Sequence, residues 1–329
     1  MSHTRLTSIA TLAVVALSLQ FYGCGDDDTT TPPPPGPIPD LHAIGSSTDQ
    51  EFDQFAVGDE GTILHYQGIK WEKVASHTTV SLRGVTGINL STAFAVGDKG
   101  TILRYDGTIW TAENSNTTQN LRSVWGTTVD NLIAVGDHGI ILERSGGAWN
   151  VVASGSSSVN WYGVYALQDG EAYAVGDAGT IAHRTGGTWA AVPAFTASRL
   201  RSVWADKPDD WFAAGDNGEI WQERGSGWTQ MVSPRTDDFY AIAGSDSAFV
   251  WAAGDADSIL FYDGFDWRPK APRHADRLEA IWAFVCPISG PSPASARALH
   301  CSNTYFAGTT SVITRFILLG SYEVMNDPR

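Results

Sequence analysis

The sequence predicts an all-β fold, a seven-bladed β-propeller of four-stranded antiparallel blades, and three observations carry that expectation. A phrase ending in Gly-Asp recurs at Gly58, Gly97, Gly136, Gly176, Gly215 and Gly254, spaced 39, 39, 40, 39 and 39 residues apart, with a weaker seventh copy at Gly308 after 54. A tryptophan stands thirteen residues past each of the first six glycines, at Trp71, Trp110, Trp149, Trp189, Trp228 and Trp267. Of the 329 residues, 43% are hydrophobic, 17% charged and 34 are glycine. That composition can bury a core and excludes a disordered, collagen-like or coiled-coil chain.

Taken in order, residues 1–23 precede the fold. Arg5 is followed by an apolar run from Ile9 to Leu19, short for a membrane span but suited to the core of a secretory signal. Phe21-Tyr22-Gly23-Cys24 resembles a bacterial lipobox, which implies lipidation of Cys24; cleavage nearby with Cys24 unmodified is the alternative. Residues 24–40, rich in proline and opening Gly25-Asp26-Asp27-Asp28, form a tether too polar to pack. In an extended polyproline conformation, at roughly 3.1 Å per residue, it reaches about 50 Å. Export with a lipid anchor in a bacterial envelope follows as the expected localisation.

Residues 41–325 hold the repeats, and 326–329 are a tail. Strand A of each repeat begins at Leu41, Leu82, Leu121, Trp161, Leu200, Phe239 or Leu278. Strand B carries a large side chain three residues before the glycine (Phe55, Phe94, Ile133, Tyr173, Phe212, Trp251, Tyr305), strand C an isoleucine five residues after it (Ile63, Ile102, Ile141, Ile181, Ile220, Ile259, Ile313), and strand D the tryptophan. Period-two alternation between Gly-rich turns is the strand signature. In Gly97-Asp98-Lys99-Gly100 the aspartate is expected to accept a backbone N–H and the second glycine to take a positive φ; Tyr105-Asp106-Gly107 is read the same way. A four-stranded unit cannot bury both sheet faces alone, so radial stacking is the expected solution. A parallel β-helix fits four strands per repeat badly.

The phrases Leu-Arg-Ser-Val-Trp-Gly, Ala-Val-Gly-Asp-x-Gly-Thr-Ile-Leu and Asp-Gly-x-x-Trp resemble the repeats of secreted bacterial propellers similar to the photosystem II assembly-factor propellers and, more distantly, to the Asp-box (BNR) repeats of sialidases. The resemblance covers nearly all of 41–325 and implies fold. Asp106 and Trp110 are four residues apart where an Asp-box has five, so sialidase chemistry is not carried over.

Propeller topology places the D-to-A and B-to-C loops on one face and the A-to-B and C-to-D loops on the other. The latter face is expected to be an acidic rim of Asp49, Glu51, Asp53, Asp130, Asp169, Glu171, Asp206, Asp209, Asp210 and Asp246. On the former, the second residue of strand A reads His42, Arg83, Arg122, Tyr162, Arg201, Tyr240 and Glu279. His42, Arg83, Arg122 and Arg201 are therefore candidates for a ligand face, because guanidinium forks suit planar oxyanions. The plainer reading pairs each arginine with a nearby Gly-Asp turn. Repeat tryptophans are expected between blades, and Trp161, Trp211, Trp221 and Trp251 are the better candidates for exposure, the alternative being that half of them fill wider gaps between blades.

The seventh repeat is irregular. Its A-to-B segment contains Cys286 and Cys301, the two cysteines left once Cys24 is assigned to lipid, and in an exported protein these are expected to form a disulfide. There is no His-Glu-x-x-His, P-loop or Gly-x-Ser-x-Gly motif. With 21 basic against 36 acidic residues, the chain lacks the basic face of a nucleic-acid binder. The expected function is a monomeric, non-catalytic, membrane-anchored scaffold for a protein or other macromolecule, without cofactor or metal. A glycan-binding or glycan-hydrolysing propeller is the alternative.

Overall fold

The computed structural model describes residues 39–46, 53–67, 71–152, 158–255, 258–270, 278–285, 302–308 and 313–318. The cysteines at 24, 286 and 301, and with them the lipidation and disulfide expectations, lie outside this set, as do the signal and most of the tether.

Six four-stranded antiparallel sheets follow one another along the chain. The first contains β1 (Leu41–Ser46), β2 (Gln54–Gly58), β3 (Ile63–Tyr66) and β4 (Trp71–Val74). The second contains β5 (Leu82–Asn89), β6 (Thr92–Gly97), β7 (Ile102–Tyr105) and β8 (Trp110–Glu113), and the third β9 (Leu121–Thr128), β10 (Asn131–Gly136), β11 (Ile141–Ser145) and β12 (Ala148–Val152). The fourth has β13 (Trp161–Ala166), β14 (Ala172–Gly176), β15 (Ile181–Thr185) and β16 (Thr188–Val192); the fifth β17 (Leu200–Lys207), β18 (Asp210–Gly215), β19 (Ile220–Glu223) and β20 (Trp228–Gln230). The sixth has β21 (Phe239–Asp246), β22 (Phe249–Gly254), β23 (Ile259–Tyr262) and β24 (Trp267–Lys270). A seventh sheet of three strands, β25 (Leu278–Val285), β26 (Ser302–Gly308) and β27 (Ile313–Leu318), completes the described chain. Strand order within each sheet is sequential, so every connection is a hairpin.

The second strand of each blade is buried along nearly its whole length, which explains its run of small and branched residues. Five of the strand-D tryptophans pack against the preceding blade, among them Trp110 with Phe55, Val57 and Ile63, Trp149 with Phe94, Val96 and Ile102, and Trp267 with Phe212 and Ile220, while Trp71 packs on a cluster of its own blade's Leu41, Ile44 and Leu64 with Ala280. The expectation that these residues lie between blades is met. The exposure expected of Trp161, Trp211 and Trp251 is not, because all three are fully buried. Trp161 occupies the position that leucine fills in β1, β5, β9 and β17, and Trp251 fills the aromatic position of the second strand; each is core by place in the repeat. Trp221 is half-buried and donates its indole N–H to Glu219 at 2.9 Å.

The Gly-Asp phrase has a steric basis. A Cβ built on Gly58, Gly97, Gly136, Gly215 or Gly254 would sit 1.8–2.2 Å from the carbonyl oxygen of the residue preceding strand A, respectively Asp40, Ser81, Asn120, Arg199 and Asp238. The following aspartate's backbone N–H donates to that same carbonyl, as in Asp98 to Ser81 at 3.0 Å. The glycine is demanded here by close backbone approach. Within the turn, Lys99 and Gly100 both take positive φ, 57° and 70°.

Candidate functional site: the channel mouth

The innermost strands β1, β5, β9, β13, β17, β21 and β25 surround a cavity of about 400 Å³. In all seven, pairing with the second strand slips by one residue immediately after the first position: Leu41 faces Gly58 while Ala43 faces Val57, and the same irregularity recurs in each sheet. The extra residue is His42, Arg83, Arg122, Tyr162, Arg201, Tyr240 or Glu279. A bulge re-aims the side chain it carries, and here all seven line one end of the cavity.

At that mouth the arginines meet the turn aspartates. Arg83 donates through Nε and Nη2 to Asp98 (3.1 and 3.0 Å), Arg122 through Nε to Asp137 (2.5 Å), and Arg201 to Asp216 (2.5 Å) and Asp238 (3.5 Å). The pairing of each arginine with a Gly-Asp turn is thus the plainer of the two expected readings, and the turn aspartate, also expected to accept a backbone N–H, binds the bulged arginine of its own blade. The expected local cap does form in the C-to-D turn, where Asp106 accepts the N–H groups of Thr108 and Ile109 at 2.9 Å. Those bonds hold the Asp106 carboxyl below its ordinary range.

The tyrosines continue the ring. Tyr240 donates to Asp255 at 3.0 Å, and the Arg201 guanidinium stands 4.5 Å from its ring centre. Arg122 and Arg199 stand 4.9 and 4.8 Å from the Tyr162 ring centre, and Arg199 donates to Asp177 at 3.1 Å. Burial pushes the Asp177 carboxyl up, but hydrogen bonds from Arg199, Tyr162 and Asn160 outweigh it and leave it below the ordinary range. His42 touches two carboxylates, with Nδ1 2.5 Å from Glu279 Oε2 and Nε2 2.8 Å from Asp59 Oδ1. The four residues expected at a ligand face thus share one mouth, each already engaged by acids.

Arg199 and Asp238 were not anticipated. They belong to the column just before strand A, with Asn120 and Asn160, and the column's constant polarity was the signal to read. Asn120, Asn160 and Asp238 also accept the backbone N–H of Lys99, His138 and Asn217 on the preceding blade, at 2.9–3.1 Å.

Below the mouth the wall is small and apolar, then aromatic along one side, where Trp125 stacks on Tyr165 at 4.4 Å and Tyr165 neighbours Trp204 at 6.4 Å. At the opposite face the expected acidic rim is largely tied up. Asp53 pairs with His65 (2.5 Å), Glu171 with His183 (2.7 Å), Asp210 with Gln222 (2.7 Å), and Asp130 reaches both Arg144 (3.4 Å) and the Gly147 N–H (3.0 Å). Asp49 and Glu51 lie outside the described residues. Among the described residues no group of three or more metal-ligating side chains converges, and no helix is long and apolar enough to cross a membrane.

The solved structures similar to this chain include two YCF48 propellers. "YCF48 bound to D1 peptide" is 18% identical with a TM-score of 0.65 over 86% of this chain and 93% of its own. YCF48 from Cyanidioschyzon merolae is 16% identical with a TM-score of 0.67 over 86% and 97%. The fold is a β-propeller. No family model and no curated protein matches the chain. Among β-propellers it is one whose bulged innermost strands gather a ring of paired charges at the channel mouth.

Proposed function

We propose that this β-propeller is an exported, membrane-tethered binding scaffold that takes a protein segment at the channel mouth and performs no chemistry on it. The observation that carries the reading is the seven-fold bulge, which delivers His42, Arg83, Arg122 and Arg201 to one opening and braces them with acids before any partner arrives. Pre-organised polar groups around a concavity are what a binding site requires. The likeness in fold to a propeller solved with a bound peptide supports a protein partner. The glycan alternative rested on the arginines together with exposed aromatics, and three of those aromatics are core. In the same reading the three-stranded sheet is the seventh blade, Cys24 carries lipid, residues 24–40 are the tether, and Cys286 and Cys301 are bonded.

The test is capture of envelope proteins on the full chain and on a variant with Arg83→Glu and Arg122→Glu. Both arginines are about one-third exposed, and ion pairs of that kind contribute under about 1 kcal/mol, so the variant should fold. A protein retained by the parent and lost by the variant supports the mouth as the site. Equal retention by both would place binding elsewhere.

A further inference from the structure

The ring of blades is closed where β25 lies against β1, and the bulged side chains on either side of this seam are Glu279 and His42. No other seam has an imidazole between two carboxylates among the described residues. Glu279 belongs to the last sheet, Asp59 to the turn of the first blade, and His42 reaches both with opposite ring nitrogens. Neutral imidazole has one N–H and one lone pair. It can donate to Glu279 or to Asp59; at the other nitrogen a lone pair would then face a carboxylate oxygen. Only the imidazolium satisfies both contacts.

We propose that His42 is an imidazolium clasp that holds the propeller seam shut and opens as pH rises. The groups around it define the open form as well. Arg83 of β5 brings Nη1 to 3.4 Å from His42 Nε2 while its other nitrogens bind Asp98, and Ser81 donates to Asp59. When His42 loses its Nε2 proton, that nitrogen becomes an acceptor. It then suits Arg83, whose approach is the only donor there among the described groups, and it repels Asp59. Deprotonation therefore exchanges the Asp59 link for an Arg83 link, leaves Arg83 as the charge that both seam carboxylates feel, and draws on the arginine that also braces the mouth.

The direction of titration agrees. Burial and the Arg83 charge work against the imidazolium, but the hydrogen bonds to Glu279 and Asp59 and the charge of Glu279 prevail and hold His42 above its ordinary value. A histidine raised in this way contributes stability that is fully present below its unfolded value and is lost as pH rises through the folded one.

The experiment is a histidine-selective ¹⁵N titration of the full chain, which has 8 histidines, with hydrogen exchange of β1 and β25 measured at about pH 6 and about pH 9 and corrected for intrinsic rate. One imidazole, absent from the His42→Gln spectrum, should titrate above the ordinary histidine value, with both nitrogens protonated below its midpoint. Protection in β1 and β25 should fall at the higher pH, tenfold for each unit by which the folded value exceeds the unfolded one. If His42→Gln does not fold, Glu279→Gln gives the assignment, since that same resonance should move to a lower value. A His42 that titrates at or below the ordinary value, or seam protection equal at both pH values, overturns the clasp.

Discussion

Each B-to-C turn of the first five blades contains two successive residues in the left-handed region, and only the second is glycine. In the fourth blade these are Ala178, φ 51°, and Gly179, φ 66°. An alanine there carries a penalty of about 1–2 kcal/mol, whereas glycine's extra unfolded-state freedom costs about 0.4–1 kcal/mol. The first effect wins, so Ala178→Gly should stabilise the protein by about 0.5–1 kcal/mol. Its neighbour behaves oppositely. A Cβ on Gly179 would stand 2.3 Å from the Thr196 carbonyl oxygen, and Gly179→Ala combines that clash with the φ penalty for a loss of about 2–4 kcal/mol. Urea denaturation of both variants checks the contrast; equal losses would refute it.

At the scale of the strand, what was legible depended on whether a residue was read by type or by its column in the repeat. Phe55, Phe94, Phe212 and Trp251 share one column and are all buried, yet Trp251 read as a lone aromatic was expected at the surface. The bulge was harder to see because it is a mismatch between two strands, and neither strand's own sequence contains it. Its trace is the apolar-polar-polar-apolar start of Leu121-Arg122-Ser123-Val124, which breaks strict alternation. The strand-D tryptophan, legible from the outset, allows a graded test. Trp149 is 1% exposed and its indole donates to Glu113 at 2.9 Å, beside the Arg144–Glu113 pair. Truncation to alanine should cost ~3–5 kcal/mol. Trp149→Phe keeps an aromatic ring in place, loses the indole N–H and part of the bulk, and should cost less, about 1–2 kcal/mol. Thermal melts showing the two variants alike would mean that packing against the second blade is not what Trp149 supplies.

For the molecule as a whole, a closed ring differs from an open solenoid in having no capping repeat, so every blade needs a neighbour on both sides. The seam is where this is most exposed to test. Ile281 packs with Trp251, Ile259 and Phe261 of the sixth blade, while Ala280 packs with Leu41, Ile44 and Leu64 of the first. Consecutive residues of one strand thus bind the two ends of the repeat array. The 39-residue period announced such an array, but the period alone does not say which pair of blades closes it; that follows from alternate side chains on β25 facing opposite neighbours. Ile281→Ala, at a site 8% exposed, should cost about 2–4 kcal/mol. A chain ending at Lys270 should go further, baring apolar faces on the first and sixth blades that no polar cap covers. Such faces drive association, so the shortened protein should elute as larger assemblies than the full chain and bind more of a hydrophobic dye. A shortened chain that remained a monomer with an unchanged melting temperature would show that six blades suffice.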